Sequence, residues 1–243
     1  MVNIKALSYR LRFLENIVFK EDPQIAFFKA IFKRLKNILC INRQDRCSLC
    51  SYRESCLYNY MSAGDFANIE GMPIIIEKPL FAKRTFKKDD ILDLKFLFLG
   101  DAAAHRDFFN HTLKEFEVRG LFKEGYRFLI MNVAEADISL ERRNSIISGI
   151  NILTPIDRVA DVFKIEKEKM DRLNELYNIT EGPLPVINKP YNFIAIEFDI
   201  KNALHIGSNR VMRRGYVGNI CFEEPICTNN LIELMYIIGA GRF

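Results

Sequence analysis

The sequence predicts an α+β protein made of two tandem ferredoxin-like domains, each with the RRM-like order βαββαβ. The first observation is the succession of strand and helix periodicities in residues 1–140. The second is the return of the same succession in residues 141–243, which places the domain boundary between them. The second domain is expected to lack its last strand, or the sequence stops within a glycine-rich end at Gly239–Phe243.

The first domain opens on a strand and a helix with clear signals. Leu7, Tyr9, Leu11 and Phe13 alternate with polar residues, which is the period of a strand with one buried face. Asp22 is a candidate helix cap with a proline directly after it, and apolar residues then recur at helical spacing. The remaining predicted elements are strands at 73–77 and 91–99, a helix from 100 to 119 and a strand at 126–133.

The second domain repeats this order with shorter signals. It is predicted to contain a strand at 146–153, a charged amphipathic helix at 161–176, a proline-bearing loop at 182–190, strands at 193–200 and 216–222, and a short helix at 230–237. The repeat of the whole pattern favours two copies of one fold over a single larger domain.

Composition indicates an ordinary soluble globular protein. Of 243 residues, 49% are apolar and 27% are charged, which excludes a disordered chain. Lys and Arg outnumber Asp and Glu by 35 to 31, so the net charge of +4 favours an anionic partner only mildly. No apolar run approaches the roughly 18 residues of a membrane span, and the first residues, with Lys5, Arg10 and Arg12 between apolar residues, lack the layout expected of a signal peptide. We therefore expect a cytoplasmic protein with reduced thiols and no membrane partner.

Four of the six cysteines lie in one short segment with the spacing C-x6-C-x2-C-x5-C. Cys40, Cys47, Cys50 and Cys56 fall within an insertion at residues 40–70 after the first helix. Four thiols match the ligand number of a structural zinc site, which is our first interpretation. An iron-sulfur cluster is the second, and unliganded thiols are the third. Three arginines within the segment would offset thiolate charge or present a basic surface to an anionic partner such as a nucleic acid: Arg43, Arg46 and Arg53.

A second segment, Lys201–Gly215, combines a histidine with positive charge. Its fifteen residues carry four cations, no acid and glycines that let a backbone approach phosphate. His205 is the candidate proton-transfer residue, and the alternative is a surface histidine in a solvated basic loop. His105 and His111 are predicted on the second helix, one partly buried and one solvated.

Several short motifs resemble those of one known family. They are Leu97–Ala102, Arg119–Leu121, Leu153–Pro155, Ser208–Arg210, a Gly-x-x-Gly hairpin at Gly215–Gly218, and the closing Gly239–Gly241. Together they resemble the CRISPR precursor-RNA-processing endoribonucleases of the RAMP superfamily, and the cysteine cluster resembles one that some members carry. The resemblance extends over nearly the whole chain.

The resemblance implies an endoribonuclease that cuts CRISPR repeat RNA without a catalytic metal, by attack of a 2′-hydroxyl that leaves a cyclic phosphate. It implies RNA contacts from Lys201, Ser208, Arg210, Arg213, Arg214, Gly215, Gly218, Gly239 and Gly241. Many members place a catalytic histidine near the first helix, whereas this sequence has none before His105. The alternative is therefore a non-catalytic subunit that holds guide RNA among other CRISPR effector subunits. A metal- or redox-sensing regulator is a third class, which explains the cysteines but not the repeated fold.

Overall fold

The computed structural model describes residues 2–42, 46–77, 82–140, 145–156, 158, 160–199, 204–206, 209–211 and 214–239. The chain folds as two compact units, which are Ile4–Ile138 and Ser139–Phe243 together with Met1–Asn3. No helix among the described residues is long and apolar enough to cross a membrane.

The described residues of the first unit form six strands and three α-helices. In chain order they are β1 (Ile4–Phe13), β2 (Ile17–Val18), α1 (Pro23–Leu39), α2 (Leu57–Met61), β3 (Ile74–Ile76), β4 (Thr85–Phe86), β5 (Ile91–Leu99), α3 (Asp107–Arg119) and β6 (Phe128–Asp137). Short 3-10 helices occupy Cys47–Leu49, Ile69–Gly71 and Gly100–His105.

Four of these strands form the main sheet of the first unit. Its order is β3-β5-β1-β6, and every neighbouring pair is antiparallel. With α1 after β1 and α3 after β5, this is the ferredoxin-like βαββαβ topology predicted from the sequence. The predicted fold class is therefore confirmed for this half. The two remaining strands, β2 and β4, form a separate two-stranded ribbon that the sequence analysis missed.

Aromatic side chains fill the space between the main sheet and its helices. The rings of Phe96 and Phe98 in β5 lie 5.2 and 5.1 Å from Phe109 of α3. Phe109 also lies 5.8 Å from Phe32 of α1. The strand β1 buries Leu7, Tyr9, Leu11 and Phe13 as its alternation predicted. These ring contacts place both helices on one face of the sheet, which gives a two-layer arrangement.

The helix α3 ends at a glycine that no other residue could replace without rearrangement. Gly120 has a φ of 85°, and a Cβ at this position would lie 2.4 Å from the backbone oxygen of Gly125. This close approach accompanies the backbone bridge between Leu121 and Tyr126, which leads the chain into β6. The predicted helix end at Gly120 is confirmed.

The second unit contains β7 (Ile146–Ile156), α4 (Val162–Tyr177), β8 (Tyr191–Asp199), β9 (Leu204–Ile206), β10 (Asn209–Val211), β11 (Arg214–Cys227) and α5 (Asn230–Gly239). Its main sheet has the order β7-β11-β8 and is antiparallel. This is the ferredoxin-like order with three strands, and no fourth strand joins this sheet among the described residues. The α+β fold of tandem ferredoxin-like domains is thus confirmed.

The core of the second unit is mostly aliphatic. Ile220 of β11, Val162 of α4 and Leu231 of α5 are almost fully buried. The ring of Phe163 stacks on Phe222 at 5.7 Å and meets Tyr191 edge-on at 5.2 Å. Both helices therefore pack on one face of the three-stranded sheet, as in the first unit.

Two local predictions for the second unit are wrong. Gly215 and Gly218 do not form a hairpin, because both lie inside β11 and pair with Phe198 and Ala195 of β8. Gly239 is the last residue of α5 rather than part of a glycine-rich loop. The hairpin of this region lies upstream, where β9 pairs with β10.

Candidate functional site

The candidate catalytic histidine lies in the β9-β10 ribbon. This antiparallel ribbon pairs Asn209 with Ile206, Arg210 with His205, and Val211 with Leu204. His205 and Arg210 therefore occupy directly opposed register positions, although four residues separate them in the sequence. The sequence predicted both residues in one basic loop but did not predict that they are paired.

The other residues predicted to contact RNA lie in β11, in α5 or outside the residues that the structure describes. Arg214 pairs with Asp199 of β8, and Gly215 follows it in the same strand. Gly218 lies where the pairing of β11 with β7 shifts register. Four members of the set fall outside the described residues: Lys201, Ser208, Arg213 and Gly241.

The two other histidines lie on the first unit. His105 ends the 3-10 helix Gly100–His105 instead of lying on α3, and its half-buried ring is 6.3 Å from Tyr60 and 6.4 Å from Phe108. His111 lies on α3 and is exposed. The expectation of one partly buried and one solvated histidine is confirmed, and the two do not form a pair among the described contacts.

The four clustered cysteines follow α1 and precede α2. The Cys40 N–H donates to Lys36 O at the end of α1, and Cys47 begins a 3-10 turn in which the Cys50 N–H donates to Cys47 O. Cys56 is the residue before α2, and its backbone oxygen accepts a hydrogen bond from the Tyr60 N–H. All four thiols are free, and Cys47 is the buried one.

A charged network anchors the cysteine segment to α1. Lys36 Nζ lies 2.7 Å from Asp65 Oδ2, and the Tyr58 hydroxyl donates to Asp65 Oδ1 at 2.6 Å. The Asp65 N–H donates to the Ser62 hydroxyl oxygen at 2.9 Å. Lys36 Nζ also lies 5.7 Å from the centre of the Tyr58 ring. The network joins residues from α1, α2 and the turn after it, and nothing in the sequence pattern predicted it.

Burial and charge shift the pKa values of this network. Burial, with Asp65 adding to it, raises the pKa of the Cys47 thiol to about 11. Burial and then the hydrogen bond to Asp65 raise the pKa of Tyr58. Burial lowers the pKa of Lys36, but the hydrogen bond and charge of Asp65 outweigh it, so that pKa lies above its ordinary value. Lys36 therefore remains a cation beside Asp65 and the thiols.

The four thiols of the cysteine segment are suitable ligands for a tetrahedral metal ion, but the structure does not bring them together into a closed site. Among the residues that the structure describes, no three thiol, imidazole or carboxylate groups converge closely enough to hold a metal ion. Cys40 and Cys56 nevertheless lie near enough to raise the pKa of Cys47 electrostatically. The Asn42 amide lies 3.7 Å from Cys50 Sγ, which holds the fourth thiol by a weak hydrogen bond.

These features define a protein of two ferredoxin-like units, with a cysteine insertion in the first and a histidine-bearing basic ribbon in the second. A family model described as the N-terminal domain AF_1859_N matches residues 2–154. The chain belongs to this family. The match includes the whole first unit and most of the strand β7, up to residue 154.

Several solved structures are similar to the chain over nearly its full length. A structure titled "CRISPR associated protein Cas6" shares 11% identity at a TM-score of 0.48, with 97% of this chain and 92% of that chain covered. A Cas6 product complex shares 12% identity at a TM-score of 0.43, with 98% and 94% covered. "An RAMP protein binding different RNA substrates" shares 13% identity at a TM-score of 0.41, with 98% and 97% covered. No curated protein matches the chain significantly.

Proposed function

We propose that the chain is an endoribonuclease that cuts CRISPR repeat RNA without a catalytic metal ion. The observation that carries the proposal is the register of the β9-β10 ribbon, which sets His205 opposite Arg210. Proton transfer and stabilisation of phosphate charge are the two tasks of such a cleavage, and these residue types perform them. The motifs that resemble the RAMP endoribonucleases and the tandem ferredoxin-like fold support the same function.

The reaction requires one transesterification. The ribose 2′-oxygen attacks the adjacent phosphorus while its proton passes to a base, and the bond to the 5′-oxygen breaks as that oxygen receives a proton. The products are a 2′,3′-cyclic phosphate and a 5′-hydroxyl, so no water or oxidant is consumed. We assign proton transfer to His205 and stabilisation of the phosphorane to the arginines of the same segment of the sequence, Arg210, Arg213 and Arg214.

Single-turnover cleavage of repeat RNA in EDTA tests the assignment. General acid-base catalysis contributes typically 10² to 10⁴ in rate, so His205→Ala should slow cleavage by about that factor. RNA affinity should change only a few-fold, because the imidazole acts on the reacting atoms rather than on binding. His105→Ala and His111→Ala are the matched controls and should cleave at the parental rate. Parental cleavage by His205→Ala would contradict the assignment.

The alternative is a non-catalytic subunit that holds guide RNA together with other CRISPR effector subunits. The sequence observation that favours it is the lack of any histidine before His105. The same assay separates the two functions. RNA binding by the parent protein without chelator-resistant cleavage supports the binding subunit, and cleavage supports the enzyme.

RNA contacts from the basic segment are tested through salt dependence. For single strands each neutralised phosphate contributes a slope of about −0.7 to the plot of log affinity against log salt. Arg213→Ala, Arg214→Ala should therefore flatten the slope by about 1.4. Lys164→Ala, Arg172→Ala removes two exposed cations of α4 and serves as the charge-matched control. Equal slopes for the parent and the Arg213, Arg214 variant would exclude phosphate contacts from these arginines.

We also propose that the cysteine segment closes around one structural zinc ion, with an iron-sulfur cluster as the second choice. Cys40, Cys47, Cys50 and Cys56 would hold the ion, and Lys36 would offset part of the thiolate charge. Elemental analysis identifies the metal. Cys47→Ser should lower metal content and thermal stability together, because a structural metal contributes its binding free energy to folding. Cys221→Ser, which changes an exposed cysteine of the second unit, should lower neither.

A further inference from the structure

The strand β6 forms one edge of the main sheet of the first unit. It pairs with β1 on one side, and among the described residues no strand pairs with its other side. Residues 131–137 are all exposed, including Met131 at 51% and Val133 at 39%. The opposite edge of the sheet is β3, whose three residues are buried. The sheet therefore has one buried edge and one exposed edge.

The backbone groups of β6 alternate between β1 and the exposed edge. The Ile138 N–H donates to Ile4 O at 3.0 Å, which fixes the alternation for the residues before it. Even-numbered residues from 132 onward direct their backbone groups at β1, so Val133, Glu135 and Asp137 direct theirs away from it. Within the described part of the chain, these three residues have no backbone partner on that outer side.

One end of the exposed edge is closed. The Ile130 N–H donates to Glu117 Oε1 at 2.7 Å, and the pairing with β1 shifts register beside it, between Arg10 and Leu11. Residues 132–137 follow in unbroken register with β1. They contain no lysine and no proline, which commonly keep an exposed edge from pairing with another strand. We name residues 132–137 the open edge.

The open edge carries little net charge. Glu135 Oε2 accepts a hydrogen bond from Arg106 Nε at 2.8 Å, and Asp137 Oδ1 lies 3.1 Å from Lys5 Nζ. Both of its acids therefore have a cation beside them. Its remaining side chains are neutral, and the alanine at position 134 is small enough for a second backbone to approach closely.

We infer that the open edge pairs with the open edge of a second copy of this chain, so that two four-stranded sheets join through antiparallel β6 strands. A two-fold axis at Ala134 sets Val133 of one copy opposite Glu135 of the other. Such a pair exchanges two backbone hydrogen bonds, and the symmetry supplies the pair twice, so four bonds cross the axis. Ala134 then faces its own copy at the closer, non-hydrogen-bonded position, where a methyl group fits.

The distribution of the acids selects this register. Outward backbone groups belong to odd-numbered residues, so only a register that pairs odd with odd forms hydrogen bonds. Every axis further along the strand sets an acid opposite an acid, Glu135 or Asp137, and like charges directly opposite destabilise a sheet. An axis at Val133 sets Glu135 opposite Met131, which lies at the register shift. The axis at Ala134 avoids both faults, so the open edge is complementary to itself, which favours a second copy as its partner.

Sedimentation velocity over a range of protein concentrations, without RNA, tests the inference. The mass should rise from that of one chain toward that of two as concentration increases. Val133→Pro removes an N–H that points away from β1, so it spares the pairing with β1 but deletes two of the four bonds across the axis. The dissociation constant of the dimer should rise about 5- to 150-fold. Val133→Thr keeps the N–H and a β-branched side chain, and it should dimerise like the parent protein.

A second variant tests the axis without removing a hydrogen bond. Ala134→Lys sets two ammonium groups opposite each other and should also weaken the dimer, so it decides the inference if Val133→Pro does not fold. Leu176→Lys adds the same charge at an exposed position of α4 and should dimerise like the parent protein. In hydrogen exchange, the amides of Val133 and Glu135 should gain protection as protein concentration rises.

Three outcomes overturn the inference. The first is a parent protein that stays monomeric at every concentration. The second is a dimer that forms equally well in Val133→Pro or in Ala134→Lys, which would place the contact on another surface. The third is an equal loss in Leu176→Lys, which would reflect net charge alone. The inference does not depend on the proposed nuclease, which is decided separately by cleavage of repeat RNA.

Discussion

The two units share a strand order, but the ion pairs inside each unit connect different parts of its structure. In the first unit, ion pairs link separate elements: Arg34 of α1 meets Glu115 of α3 at 2.7 Å, and Lys36 of α1 meets Asp65 after α2. In the second unit, two ion pairs join residues of one helix, α4: Glu166 with Lys169 and Lys167 with Asp171. Among the described residues of this unit, only the exposed pair of Lys189 with Glu224, at 3.6 Å, links separate elements. The shared fold therefore does not determine whether ion pairs link separate elements or residues of one helix.

This difference in ion pairing reflects which elements of each unit are held in position by charged contacts. The first unit carries the cysteine insertion, and its charged contacts tie that insertion to α1 and tie α1 to α3. Its sheet also neutralises its own solvent face, through Arg10 with Asp93 and Lys95 with Glu77. The charged side chains of that face are therefore already paired.

The largest expected loss of stability follows truncation of a buried aromatic ring, and it should differ between the cores of the two units. Phe109→Ala removes a ring that touches three others, and truncation of a buried phenylalanine costs about 3–5 kcal/mol. Phe163→Ala, in a core with two ring contacts, should cost an amount near the lower end of that range. Hydrogen exchange should lose protection in Ile4–Ile138 for the first variant and in the second unit for the other. Loss spread over both units in either variant would mean that they unfold together.

A smaller effect is expected in the network that anchors the cysteine segment. Asp65→Asn keeps a residue that tolerates the φ of 58° but removes the charge beside Lys36. Hydrogen bonds to charged groups contribute about 1.5–3 kcal/mol each, so the variant should lose about 2 kcal/mol in denaturant unfolding. Asp93→Asn breaks the exposed pair with Arg10 and should stay within about 1 kcal/mol of the parent protein. Equal losses in both variants would contradict the anchoring role.

The contact between α1 and α3 predicts a dependence on pH. The hydrogen bond from Arg34, followed by the charges around it, lowers the pKa of Glu115 below its ordinary 4.5. A lowered folded-state pKa adds stability that is complete above the ordinary value and is lost as pH falls through the folded value. Glu115→Gln should therefore cost about 1–2 kcal/mol at pH 7 and progressively less below pH 4.5. A stability difference that does not change with pH would show that charge is not its source.

Much of the fold was predictable because its signals are local. Alternation in β1 and the glycine stop after α3 each follow from a few adjacent residues, and both predictions are confirmed. The ribbon of β2 and β4 was missed because a two-residue strand is too short for a period to be recognised. The hairpin predicted at Gly215–Gly218 was wrong because glycines suit both a turn and an irregular strand, and pairing with β8 decided between them.

The candidate site was predictable in composition but not in arrangement. A histidine within an acid-free basic segment is visible in the sequence, and so are four closely spaced cysteines. The opposition of His205 and Arg210 depends on where the β9-β10 ribbon turns, which one sequence does not specify. The contact of Lys36 with Asp65 joins residues that are 29 positions apart, and it arises only once α2 packs beside α1.

The smallest expected effect tests the local charge pairs of the second unit. Asp171→Asn breaks the pair with Lys167 within α4, where Lys167 stands one turn before its partner. Such i,i+4 pairs contribute about 0.2–0.5 kcal/mol, and an acid placed before the base is the more favourable order, so this pair should lie at the low end. Denaturant unfolding of Asp171→Asn should thus differ from the parent protein by less than about 0.5 kcal/mol, against the larger loss of Glu115→Gln. If Asp171→Asn costs as much as Glu115→Gln, the ion pairs of the two units contribute equally, and the contrast between tertiary and local charge pairing is wrong.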